Sequence, residues 1–171
     1  MNEVFNKEFT HLKIHTQYSI CEGALRTSDL AKYCKINKIK AVGLCDSNNL
    51  CGALEFSETI AKSKTQPIIG TQINIKYKDN IGKIPLFAKD LNGYKNLIKL
   101  SSKSFLEIKD DEEPHCKIED LEKNYEGLIL LSGTFDGLIG KLFFKNLTDE
   151  ISVLFKSLKN IFKDNFYLDI Q

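Results

Sequence analysis

The sequence predicts an α/β fold in which about six strands alternate with helices around a largely parallel sheet. Three observations lead there. Short apolar or alternating runs, such as Ala41-Val42-Gly43-Leu44-Cys45, recur along the chain with strand character. Between them lie segments with apolar residues at helical spacing. The clearest is Thr148–Phe162, where Ile151, Leu154, Phe155, Leu158, Ile161 and Phe162 share one face. No repeat, low-complexity tract or Pro/Gly/Ser-rich linker breaks the pattern, so residues 1–171 read as one domain with no second.

Taken in order, Phe9–His15 alternates apolar and polar residues as a strand does. Thr27 or Ser28 then caps a helix carrying Leu30, Ala31, Cys34 and Ile36. Ala41–Cys45 is a strand apolar on both faces, followed by a helix across Gly52–Ser63. Pro67–Tyr77 and Ile84–Ala88 give two more strands, and Asn92 caps a helix running to about Ser104. Ser102–Lys117 is charged and contains Pro114, which predicts a surface excursion with His115 as a solvated loop residue. A short helix at Ile118–Asn124, a strand at Leu128–Ser132, helices at Gly137–Phe144 and Thr148–Phe162, and a last strand at Phe166–Ile170 complete the chain. A complete eight-unit barrel takes about 250 residues, so this chain accommodates only part of one.

Composition excludes several classes. The 171 residues support one ordinary core, and no apolar run approaches the roughly 20 residues that span a bilayer. The start, Met1 to Glu8, lacks a signal-peptide core, so the expectation is a cytoplasmic protein without membrane contact. Five cysteines, an odd number with no CxxC pair, predict reduced thiols rather than a zinc knuckle or a disulfide framework. Net charge is +1, with 24 basic and 23 acidic residues, which gives no broad footprint for nucleic acid. Lys62, Lys64, Lys76 and Lys78 form at most a small basic cluster, read here as solvated surface.

Active-site groups in parallel α/β folds collect at the C-terminal ends of strands. The polar residues there are Lys13 and His15, Asp46 and Ser47, Gln72, Lys83, and Ser132 with Thr134. As a set they are poor metal ligands. His11 reads as a strand-end histidine satisfied by backbone.

Six stretches, in order, carry a resemblance. They are His11–Ser19, with Glu22-Gly23-Ala24; Asp46–Ala53; Lys64–Gly70; Asn92–Leu97; Glu126–Gly133; and Phe166–Gln171. Together they resemble the PHP (polymerase and histidinol phosphatase) family and, within it, the N-terminal domain of bacterial DNA polymerase III alpha subunits. The resemblance runs from about Phe9 to Gln171. It implies a distorted TIM-like barrel, here incomplete, and a chain that is the N-terminal part of a PHP domain in a longer protein.

Family members with an active site hold zinc, manganese or iron, often three ions, and cleave phosphoesters. Carried over by position, Lys13 stands where the first histidine of a pair belongs, while His15 keeps the second. Asp46 is retained. Ser47 replaces a histidine, Gln72 an acidic ligand, Lys83 another histidine, and Thr134 a common cysteine. A lysine ammonium has no lone pair to give and repels a cation. The expectation is therefore a vestigial cleft of Lys13, His15, Asp46, Ser47, Gln72, Lys83 and Thr134, with no catalytic or metal residue, no cofactor, and a Lys13–Asp46 contact across it.

The resemblance further implies a parent DNA-directed DNA polymerase whose magnesium-binding palm lies outside this chain. This part would act as a scaffold for the other polymerase domains and a dock for a proofreading exonuclease subunit, touching DNA only through the full polymerase. Two alternatives remain: a metal-dependent phosphoesterase or 3′-5′ proofreading nuclease, and a module that self-associates through the strand at Phe166–Ile170.

Overall fold

The computed structural model describes residues 9–109 and 111–170. Its elements are α1 (Thr27–Ile36), β1 (Ala41–Ser47), α2 (Ala53–Lys62), β2 (Gln66–Tyr77), β3 (Asn80–Ala88), α3 (Leu91–Leu106), β4 (Cys116–Lys117), α4 (Ile118–Lys123), β5 (Leu128–Leu131), α5 (Leu138–Phe144), α6 (Thr148–Phe162) and β6 (Phe166–Tyr167). The strands form a six-stranded sheet of order β1-β2-β3-β5-β6, with β4 also paired to β2.

The sheet is mixed rather than largely parallel. β1–β2, β2–β4 and β5–β6 are parallel, whereas β2–β3 and β3–β5 are antiparallel. The reason lies at Lys78-Asp79, where β2 turns directly into β3 with Lys78 at φ 53°. So short a link makes a hairpin and leaves no room for a crossover helix.

Period-two alternation sorts the two faces. Facing outward, Val42 and Leu44 pack with Leu30, Ala31 and Cys34 of α1 and Ala53, Phe56 and Ile60 of α2. Ile73, Ile84, Leu86 and Leu130 pack outward against Leu97 and Leu100 of α3, Leu138 and Leu142 of α5, and Leu154, Leu158 and Phe162 of α6. Facing inward, Cys45, Phe87 and Leu131 meet Leu12, Ile68 and Ile129. Leu12 and Leu131 come from opposite margins of the sheet, so the sheet curls into an incompletely closed barrel with its helices outside.

Several local expectations are corrected. Phe9–His15 forms no full strand. It runs beside β1 through Gly43 N–H to His11 O (2.7 Å), Cys45 N–H to Ile14 O (2.8 Å) and a single bridge, Ile14 with Leu44. Only Phe166 and Tyr167 pair at the other margin, because the Ser132 hydroxyl accepts the next ladder position from Asp169 N–H (3.0 Å). Arg26, not Thr27 or Ser28, precedes the first turn of α1, since the Thr27 hydroxyl is given to Glu55. Ile36, at the end of α1, is exposed. Asp90, not Asn92, caps α3 by accepting from Gly93 N–H (2.9 Å).

His115 is buried rather than solvated. Cys116 pairs with Ile75 through β4, and Asn74 holds Pro114 O at 3.0 Å, so the end of the charged excursion is drawn into the sheet. The lysine cluster is dispersed along β2: Lys76 and Lys78 pair with Glu112 (3.5 Å) and Glu150 (3.1 Å) at one end, while Lys62 and Lys64 precede the other.

Candidate functional site

The inner face carries an apolar row and, two residues further along β1 and β2, a polar one. Register aligns Cys45, Gly70, Phe87 and Ile129 across four strands. One step on, Ser47 faces Gln72, with Asn74 and Lys83 paired beyond them. The polar row therefore lies where β1 ends, at the mouth of the barrel. A cleft of about 480 Å³ opens above it, lined by Lys13, His15, Gln72, Thr134, Phe135 and Asp136.

Two carboxylates that sequence reasoning did not single out organise this cleft. Glu22 descends from the loop between Thr16 and Leu25. It pairs with the Lys83 ammonium and accepts from the Ser47 hydroxyl. Gln72 Nε2 donates to Ser47 Oγ at 2.7 Å and lies 3.5 Å from Glu22 Oε2. Asp169 meets Lys13 Nζ at 2.9 Å in a mostly buried charge contact that is not a well-aligned hydrogen bond. Both acids stand in stretches that carry the family resemblance, and that was the only signal for them.

The expected Lys13–Asp46 contact does not form. Asp46 is fully buried and alternates to the opposite face from Ser47, toward the start of the loop. There it accepts from Thr16 N–H (2.6 Å), the Thr16 hydroxyl (2.7 Å) and the Ser19 hydroxyl (2.7 Å). Lys13 reaches the other margin instead. The structure thus brings together His15, Ser47, Gln72 and Lys83, sets Lys13 and Thr134 on the cleft wall, and withdraws Asp46. Thr134 donates to Asp136 Oδ1 at 2.5 Å.

The loop that delivers Glu22 is compact. Gln17 N–H bonds Leu25 O at 3.0 Å, and the N–H groups of Glu22 and Gly23 both reach Ser19 O. A Cβ on Gly23 would stand 2.0 Å from Thr16 O, so only glycine permits this closure.

Electrostatics follow from these contacts. Burial of His15 lowers its pKa below the ordinary range, against the opposing pull of Glu22 and Asp46, and favours a neutral imidazole. Burial alone would raise Glu22, but hydrogen bonds from Lys83 and Ser47 and the nearby positive charge outweigh it and lower the group. Burial pushes the Cys45 thiol beneath the cleft up to about 12. The donors do not fit a divalent ion. Among the described residues no three His, Cys, Asp or Glu side chains converge, the Lys83 ammonium holds Glu22, and Cys45 stays protonated. Ser19 is no activated nucleophile either, because its proton goes to Asp46 and His15 Nδ1 stands 3.4 Å away.

These shifts carry a pH signature. His15 and Glu22 both have folded pKa values below their unfolded ones. Their contributions to stability are complete above the unfolded values and are lost as pH falls toward the folded ones. Thermal midpoints should therefore decline first below about pH 6.5, from His15, and again below about pH 4.3, from Glu22. Asp136, lowered by the Thr134 hydroxyl, and Glu55, lowered by those of Thr27 and Tyr18, share the second limb. Glu22→Gln should make that limb shallower in calorimetric scans. An unchanged slope would show that Glu22 does not feel Lys83 in solution.

A curled α/β sheet with a polar row at the mouth of its barrel is the architecture the resemblance implied, and the family model for the PHP domain matches residues 11–171. The chain belongs to the PHP family. Its sequence is similar to the N-terminal region of bacterial DNA polymerase III alpha subunits. It is 40% identical to that of Rickettsia felis over 166 residues, 36% to that of Borreliella burgdorferi over 178, and 35% to that of Caulobacter vibrioides over 182. These alignments cover 95%, 98% and 100% of this chain but only 14%, 15% and 16% of the relatives. An amidohydrolase from Chromobacterium violaceum shows a partial likeness, with TM-score 0.46, 16% identity, and coverage of 56% of this chain and 32% of that one. Among the described residues no helix is long and apolar enough to cross a membrane.

Proposed function

We propose that this chain is a non-catalytic PHP scaffold, working within a replicative polymerase of the DNA polymerase III alpha type. One observation carries the reading: the residues that would have to bind an ion bind one another. Lys83 with Glu22 and Lys13 with Asp169 are internal ion pairs beside the cleft. Position for position, lysine, serine and glutamine stand where the family uses histidines and an acid. Of the family's ligand positions among the described residues, His15 is the one that offers an imidazole nitrogen, and one ligand cannot lower the pKa of a bound water enough for phosphoester attack.

In this reading the parent protein performs template-directed DNA synthesis elsewhere in its length. The PHP part stiffens the polymerase and offers a surface to a proofreading exonuclease subunit. The test is metal content and activity together. The chain, purified without chelator, should carry far less than one equivalent of zinc, manganese or iron by mass spectrometry. It should leave the 3′ end of single-stranded DNA intact with each of those metals added. The exonuclease subunit of the same organism should co-elute with the alpha subunit bearing this region. Stoichiometric metal with 3′-end hydrolysis would make the chain a metal-dependent phosphoesterase and end the scaffold reading.

A further inference from the structure

We propose that Lys83 is a tethered cation: its ammonium occupies the acceptors a divalent ion would need at this position of the fold, and it latches the loop from Thr16 to Leu25 onto the sheet. The proposal rests on the non-catalytic reading above and adds to it a device that holds this loop in place beside the cleft.

Lys83 projects inward from β3 and contacts Glu22, 61 residues away in sequence, and Ser47 Oγ at 3.5 Å. Ser47 donates to the same carboxylate and accepts from Gln72 Nε2 at 2.7 Å. One cation, one carboxylate, one hydroxyl and one amide thus close on themselves, with no net charge left over. An inbound cation would have to displace the ammonium before it met a free carboxylate oxygen of Glu22.

The loop has little else to hold its tip. Ile20 is 86% exposed, and Cys21, at φ 66°, is also exposed, so no apolar anchor seats the turn. Its remaining ties lie nearer the base: Ser19 Oγ to Asp46 (2.7 Å) and from Ser47 N–H (3.1 Å), Asn49 Nδ2 to Tyr18 O (3.0 Å), Tyr18 with Glu55, and Gln17 with Leu25. Beyond Ser19, among residues 20–24 and the contacts described, Glu22 is the side chain that reaches across to the sheet, and Lys83 is the charge that meets it. Lys83 and Glu22 side chains are 24% and 36% exposed, so the pair is partly shielded yet still open to salt.

A tethered cation differs from a metal in two measurable ways. Chelators cannot remove it, and ionic strength weakens it. Hydrogen exchange read by mass spectrometry on the peptide covering residues 16–25 tests both, in the full chain, with Lys83→Met, Glu22→Gln and the double variant. Lys83→Met keeps the apolar stem and removes the charge. Each single variant should raise loop exchange roughly fivefold, and the double variant should be no worse than either single. Exchange in β2 and β3 should stay unchanged, which separates local opening from unfolding. Raising sodium chloride from about 0.05 M to about 0.5 M should loosen the parent loop and leave Lys83→Met unaffected.

Unchanged loop exchange in Lys83→Met would overturn the latch and leave the scaffold reading standing. Loop protection in the parent chain that rises with added zinc or manganese, or falls with chelator, would overturn both.

Discussion

Asp46→Ala should lower the thermal midpoint of this chain by about 10 °C, although Asp46 touches nothing in the cleft. The carboxylate is fully buried and accepts three hydrogen bonds, from Thr16 N–H and the hydroxyls of Thr16 and Ser19. Alanine removes the acceptor that all three donors share. An unsatisfied buried donor costs about 1–3 kcal/mol, and hydroxyl rotation recovers part of that, so the total is about 4 kcal/mol. For a domain of this size each kcal/mol corresponds to about 2–4 °C. Ser19→Ala, which leaves the carboxylate two of its donors, should cost only about 1 kcal/mol. Scanning calorimetry of the two variants decides the matter. A fall of less than about 3 °C in Asp46→Ala, or equal falls in both, would mean that the carboxylate is not the hub of this region. The retained aspartate of the family pattern would here be a structural residue, fixing the start of the loop that carries Glu22.

Gly43→Ala is the second large effect and has a steric cause. A Cβ on Gly43 would lie 2.5 Å from Leu12 O and 2.7 Å from Leu12 Cα. Both are backbone atoms, so no side-chain rotation relieves the contact. The segment bearing Lys13 and His15 must move off β1, stretching the bond from Gly43 N–H to His11 O, now 2.7 Å. Overpacking of this kind costs about 3 kcal/mol. Amide exchange of Cys45, which bonds Ile14 O at 2.8 Å, should accelerate with it. A normal midpoint together with unchanged exchange at Cys45 would show that the segment yields freely. Lys13 would also be drawn from Asp169, linking the packing of β1 to closure of the barrel margins.

Much of the fold was legible because local chemistry specified it. The stripe on Thr148–Phe162 predicted α6 to the residue, and the apolar run Ala41–Cys45 predicted a strand buried on both faces. Sheet direction was not legible. A turn of two residues at Lys78-Asp79 carries no strong hairpin dipeptide, and strand character alone does not say whether the next strand returns or crosses over.

Of the site, the residue types at the family's ligand positions, lysines among them, are legible in the chain. Their partners are set by long-range contacts. A Lys13 ammonium standing in for an absent metal predicts pairing with Asp46, but alternation turns Asp46 to the outer face while Lys13 reaches Asp169 on the far margin. Glu22 meets Lys83 because a loop closed by Gly23 folds back over the sheet across 61 residues of sequence. Composition fixes which charges a chain has to place. Strand parity, curl of the sheet and loop closure fix which of them meet, and those depend on contacts between residues far apart in the chain.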